Sequence, residues 1–150
     1  MGLRSYGTVR LASTNVADPP LIDPKYMQSQ EDVDHYVLAI RKAFDIFETE
    51  AIKNITEGDR LDLPGNPTDE DIEAWIRQYW GHTDFHPIGT CKMGSNPEDG
   101  AVVDPFLKVH GVKNLRVMDS SVFPNLTHGN PAQPSMLVGL RGGEMILEGN

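Results

Sequence analysis

Between Gly81 and Pro134 the sequence abandons helical periodicity, and this limits the chain more than any other feature. The stretch is crowded with Gly, Pro, Asn and His, residues that favour turns and fixed or positive φ over a repeating helix. Only two short apolar runs interrupt it, Ala101-Val102-Val103 and Leu115-Arg116-Val117-Met118. Both read as strands.

The flanks of this stretch are more regular. Thr8 to Ser13 alternates apolar and polar residues, the pattern of a strand with one buried face. The steps Asp18-Pro19-Pro20 and Asp23-Pro24 impose turns or extended backbone after it. From Glu31 to Glu50, Val33, Val37, Ile40, Phe44 and Phe47 recur at steps of four and three, one face of an amphipathic helix. Asn54 to Pro67 is polar and reads as a surface loop. Thr68 with Asp71 three residues on resembles a capping box, with Asp in place of Glu or Gln. Ile72, Trp75, Ile76 and Tyr79 would form the apolar face of that helix and Gly81 its C-cap. A last helix is expected from Pro134 to Glu148, with proline in the first turn, where it is tolerated. Gly142 and Gly143 would weaken it by about 1 kcal/mol each, so the pair implies a close backbone approach.

Composition removes whole classes of function. With 22 acidic against 13 basic residues, the net charge of −9 disfavours a nucleic-acid partner, because phosphate contacts need a basic surface. Cys91 is the only cysteine, so no intramolecular disulfide and no thiol-ligated metal site is expected. No apolar run approaches the ~18 residues of a membrane span, and no secretory leader is expected from Met1 to Gly7.

Two places hold residues suited to chemistry. His86 lies between Phe85 and Pro87, where a proline fixes the backbone, and imidazole titrates near neutral pH. Four other histidines, at 35, 82, 110 and 128, compete for any such role, and a lone histidine is more often structural. His35 and His110 take that plainer reading. The second place is Asn125 to Pro134, a stretch with Pro131, Pro134 and Gly129 that ends at a helix N-terminus. Free N–H groups there favour an electron-rich ligand group. Residue chemistry alone does not name a reaction.

Several ordered motifs do. His86-Pro87-Ile88-Gly89-Thr90-Cys91-Lys92-Met93-Gly94 is followed by Ala101-Val102-Val103-Asp104-Pro105 and Val109-His110-Gly111-Val112. Leu115 to Ser121 and Gly129-Asn130-Pro131-Ala132-Gln133-Pro134 complete the series. Together they resemble the C-terminal signature of the glucose–methanol–choline (GMC) oxidoreductases. Gly7 to Ser13 and Pro20 to Tyr26 resemble the start of the same region, so nearly the whole chain is covered.

The resemblance implies an α+β fold, the C-terminal part of the GMC architecture. Residues 1–100 would form a substrate-binding portion, an antiparallel sheet with flanking helices. Residues 101–150 would return to the FAD-binding domain as its last strand, an active-site loop and a final helix. It also implies alcohol oxidation on FAD, with His86 as the base that takes the hydroxyl proton while hydride passes to flavin N5. Asn130 would hydrogen-bond the substrate oxygen. Asp119 and Ser120 would approach the flavin's diphosphate side, and Asn130, Pro131 and Ala132 its isoalloxazine. His128 is a rival for the Asn130 role and otherwise a pocket residue. Ser120 stands where the family commonly has Ala or Gly.

The sequence lacks the Gly-x-Gly-x-x-Gly turn that holds a dinucleotide pyrophosphate at a helix N-terminus. The chain alone is therefore expected to bind FAD weakly or not at all, and to need an N-terminal FAD-binding chain or domain as partner. The alternative is a stand-alone module with a binding or structural role and no chemistry.

Overall fold

The computed structural model describes residues 3–57, 63–79 and 83–149. The expected Gly81 cap and His82 lie outside them. The chain divides into two compact units. One comprises Arg4–Thr8 and Ile22–His82; the other comprises Met1–Leu3, Val9–Leu21 and Thr83–Asn150. The strands β1 (Thr8–Arg10) and β2 (Leu21–Asp23) pair in a two-stranded sheet.

The first unit is helical. Its main helix, α1 (Gln30–Phe47), buries Val33 and Val37 against Ile72, Trp75 and Ile76 of α3 (Asp69–Tyr79). Each fully buried aliphatic side chain contributes roughly 1.5–3 kcal/mol. Ile40 and Phe44 pack at the edge of this core, as the period expects, but Phe47 is exposed. The helix stops before Glu50 because Thr49 turns extended (ψ 145°), its hydroxyl donating to Ile46 O at 2.7 Å; a single-turn helix, α2 (Glu50–Lys53), follows. The expected capping box at α3 is present. Asp71 N–H donates to Thr68 Oγ1 at 3.2 Å, and Thr68 N–H donates to Asp71 Oδ2 at 2.9 Å.

One buried charge anchors the unit. Asp32, on α1, is only 2% exposed. Its carboxylate accepts from the N–H groups of Arg4 and Ser5 at 2.8 and 2.7 Å and from the Ser5 hydroxyl at 2.6 Å. Burial by itself would raise its pKa. The Ser5 hydroxyl and the two amides, with help from the nearby His35, outweigh burial and hold the carboxyl below the ordinary range.

The second unit is built of turns. Its core is Val103, Leu107, Val122 and Phe123, with Ile88, Met93, Met118, Val138 and Met145 packed around it. The strands expected at 101–103 and 115–118 do not form. Only single-residue bridges occur, Met93 with Val103, Val103 with Val109, and Lys108 with Arg116. Leu107, Gly111 and Asn114 all adopt positive φ (64°, 75° and 58°), and each reversal comes before a ladder can extend. Asp104 Oδ1 holds the first of these turns, accepting from the N–H groups of Phe106 and Lys108.

The last helix, α4 (Ala132–Leu147), begins two residues earlier than its proline suggests, and Pro134 still falls in the first turn. Of its paired glycines, only Gly142 is closely packed. A Cβ there would lie 2.3 Å from Met118 Sδ, whereas one on Gly143 would meet nothing within 4 Å. Among the described residues, no helix is long and apolar enough to cross a membrane.

Candidate active site

His86 sits between two constraints. On its N-terminal side Phe85 adopts φ 62°, and its N–H donates to Thr83 Oγ1 at 2.9 Å. Left-handed backbone at a bulky residue costs about 1–3 kcal/mol, and the exposed Phe85 ring gains no packing here to offset it. On the other side Pro87 restricts His86 to extended backbone. The partly buried imidazole carries Nδ1 3.7 Å from the exposed Asp84 carboxylate, too far for a hydrogen bond.

Beyond Pro87 the chain is stitched to residues 120–122. The N–H groups of Gly89, Cys91 and Met93 donate to the carbonyls of Ser120, Ser121 and Val122 at 3.4, 2.9 and 2.8 Å. Residues Ser120–Val122 form a single 3-10 turn headed by Asp119, whose carboxylate accepts from Ser121 N–H at 2.8 Å. Asp119 is exposed and Ser120 partly so.

The loop after Phe123 leads to α4. The Thr127 hydroxyl donates to Gly129 O at 2.7 Å, shaping the turn before Asn130. Asn130, His128 and Ala132 are exposed, while Pro131 is buried. Pro131 O receives both the N–H and the hydroxyl of Ser135, at 2.9 and 2.5 Å. No acidic side chain stands in the first turn of α4.

His86, Asp119, Ser120, His128, Asn130, Pro131 and Ala132 thus all belong to the turn-built unit, on segments that share one core through Ile88, Val122 and Val138. Among the described residues no hydrogen bond joins His86 to Asn130. His110 is structural, its Nε2 3.0 Å from Gly94 O. His35 lies on α1 in the helical unit. Cys91 is partly buried, and no cluster of metal-ligating side chains occurs among the described residues. The strained turn at Phe85 is the part of the site that sequence reasoning missed; its one visible signal is a threonine two residues upstream, able to accept from the Phe85 amide.

With this arrangement in view, comparison with known proteins decides the family. The GMC oxidoreductase C-terminal model matches residues 4–139. The chain is a C-terminal region of a GMC oxidoreductase. This GMC region is 36% identical over 144 residues to an alcohol dehydrogenase [acceptor] of Pseudomonas putida, a match covering 96% of the chain and 26% of the relative. It is 38% identical to an oxygen-dependent choline dehydrogenase of Rhizobium rhizogenes, with the same two coverages. Among solved structures, the formate oxidase of Aspergillus oryzae, described in terms of its FAD modification, superposes with a TM-score of 0.84 at 31% identity. That match covers 96% of the chain and 25% of the neighbour. An FAD-dependent oxidoreductase of Chaetomium thermophilum gives a TM-score of 0.85 at 29% identity over 95% of the chain and 24% of the neighbour. The GMC region therefore spans about a quarter of the length of the proteins it matches. Both of these solved neighbours are described by their FAD, and the chain's mix of helix and sheet is consistent with the C-terminal part of the GMC fold.

Proposed function

We propose that this GMC region is the catalytic C-terminal portion of an FAD-dependent alcohol oxidoreductase, completed by an N-terminal FAD-binding part. The observation that carries the reading is the shared core beneath the two motif segments. His86 and Asn130 each stand in a family motif, and Ile88 and Val138, close to them in sequence, pack around the same buried residues. In this reading residues 1–100 contribute the substrate-binding portion, including its antiparallel sheet. Residues 101–150 return to the FAD-binding domain and supply an active-site loop and its final helix.

The residues present suit one edge of a flavin. Asn130 is exposed, the N–H groups of Ala132 and Gln133 stand at the start of α4, and no acidic side chain of that turn opposes an electron-rich ring. Pro131 and Ala132 offer small apolar surface beside the isoalloxazine, while Asp119 and Ser120 approach the diphosphate side. A pyrophosphate cradle must come from elsewhere, because the Gly-rich turn is not in this sequence.

Bound FAD supplies the acceptor for hydride leaving the alcohol carbon. His86 takes the hydroxyl proton. Asn130 cannot titrate but donates an N–H to the oxygen as negative charge grows on it. His128 lines the substrate side. The test is His86→Ala in the complex with the FAD-binding part, assayed on a panel of primary alcohols. Losing a general base lowers kcat by about 10²–10⁴-fold; turnover near wild type would overturn the assignment.

A further inference from the structure

Phe85 sits in a backbone region that bulky side chains avoid, and its ring does not explain why. The residue has φ 62°, yet the ring is 84% exposed. Left-handed backbone brings Cβ too close to the following carbonyl oxygen, so something other than ring packing must hold it. The structure shows a holder: the Phe85 N–H donates to Thr83 Oγ1 at 2.9 Å. A short hydroxyl-to-backbone bond of this kind fixes a turn locally.

What the turn governs is the entry to His86. Downstream, Pro87 keeps His86 extended, and from Gly89 onward the chain is stitched to Ser120–Val122. Upstream, the described anchor is the Thr83–Phe85 bond. The imidazole is not gripped by the Asp84 carboxylate, which lies 3.7 Å from Nδ1. If Phe85 relaxed to negative φ, the change would be absorbed between these two anchors, where His86 is the first side chain free to swing. A displacement of about 1 Å can cost on the order of 10²-fold in rate. We infer that Thr83 is a positioning residue, whose hydroxyl holds Phe85 left-handed and so aims the His86 imidazole; this rests on the role of base proposed for His86 above. Thr83 is exposed and belongs to neither core, so replacing it leaves the packing of both units intact.

Backbone and ring can be separated in the complete enzyme with FAD bound. Thr83→Val removes the acceptor at nearly the same volume. It should lower kcat on primary alcohols by about ten- to a hundredfold while KM changes by less than about threefold. Thr83→Ser keeps the acceptor and should recover most of that loss. Phe85→Ala and Phe85→Gly both delete the ring, but only glycine reaches positive φ without strain. Thr83→Val should therefore keep its full effect on the Phe85→Ala background and lose most of it on Phe85→Gly, a coupling that loss of ring contacts does not produce. A second readout needs no catalysis. The Phe85 amide should exchange its hydrogen about tenfold faster in Thr83→Val than in wild type or Thr83→Ser. The inference is overturned by a Thr83→Val enzyme with wild-type kcat or unchanged Phe85 exchange, and by a serine variant as slow as the valine one. Equal valine effects on the alanine and glycine backgrounds overturn it as well. Failure of the catalytic reading is separate: His86→Ala would then turn over alcohol like wild type, whichever residue stands at position 83.

Discussion

At the scale of single residues, the site and the anchor of the fold were unequally legible. His86 and Asn130 are readable because their neighbours form ordered motifs; neither residue identifies itself. Asn130→Ala should lower kcat by about 10²–10³-fold, as removal of a donor to a developing oxyanion does, whereas His128→Ala should leave kcat within a few-fold of wild type. Steady-state kinetics of the two variants in the assembled enzyme separate these roles, and a larger loss at His128 would exchange them. Asp32 was not legible at all. On a helical wheel it is one more acid in the first turn of α1, and only the return of Arg4 and Ser5 onto it shows that it is buried. Its depressed pKa means that its contribution is present above the ordinary carboxylate range, near pH 4, and is lost as pH falls through the lower native value. Asp32→Ala should therefore destabilise the helical unit at neutral pH by about 2–3 kcal/mol, leaving two amides and a hydroxyl without their acceptor. The deficit should shrink on acidification, and denaturant titrations at pH 7 and pH 3 measure both.

At the scale of elements, helices announced themselves and strands did not. The four- and three-residue steps in α1 and the capping pair Thr68–Asp71 survive in the structure because nothing nearby competes with the helical pattern. Val102-Val103 and Leu115–Met118 carry strand-like side chains, but φ reversals at Leu107, Gly111 and Asn114 dominate the backbone between them. Side-chain type is a weak guide where turns come every few residues. The paired glycines of α4 divide in the same way. Gly142→Ala must displace Met118 or Leu107 and should destabilise the turn-built unit by about 1–3 kcal/mol. Gly143→Ala meets open space and should stabilise the isolated chain by up to about 1 kcal/mol, a rise of roughly 2–4 °C in thermal melting. Equal effects of the two substitutions would contradict the packing described.

At the scale of the whole molecule, the sequence told more through its missing motif than through its composition. The net charge of −9 and the single cysteine narrowed partners and compartments of chemistry without naming any. The motif series named a family, and the missing Gly-rich turn is the ground for proposing that FAD is held mainly by another segment of protein. The isolated chain mixed with FAD should accordingly show little or no perturbation of the flavin absorbance; a stable yellow complex would mean that a cradle exists in these 150 residues.

The two cores share no residue. Val33, Val37, Ile72, Trp75 and Ile76 make one, and Val103, Leu107, Val122 and Phe123 make the other. Heredity feels this separation. A mutation that enlarges or empties the helical core should be answered by compensating changes among that core's own members. Among homologous sequences, replacements should accordingly co-vary within each core more than between the two.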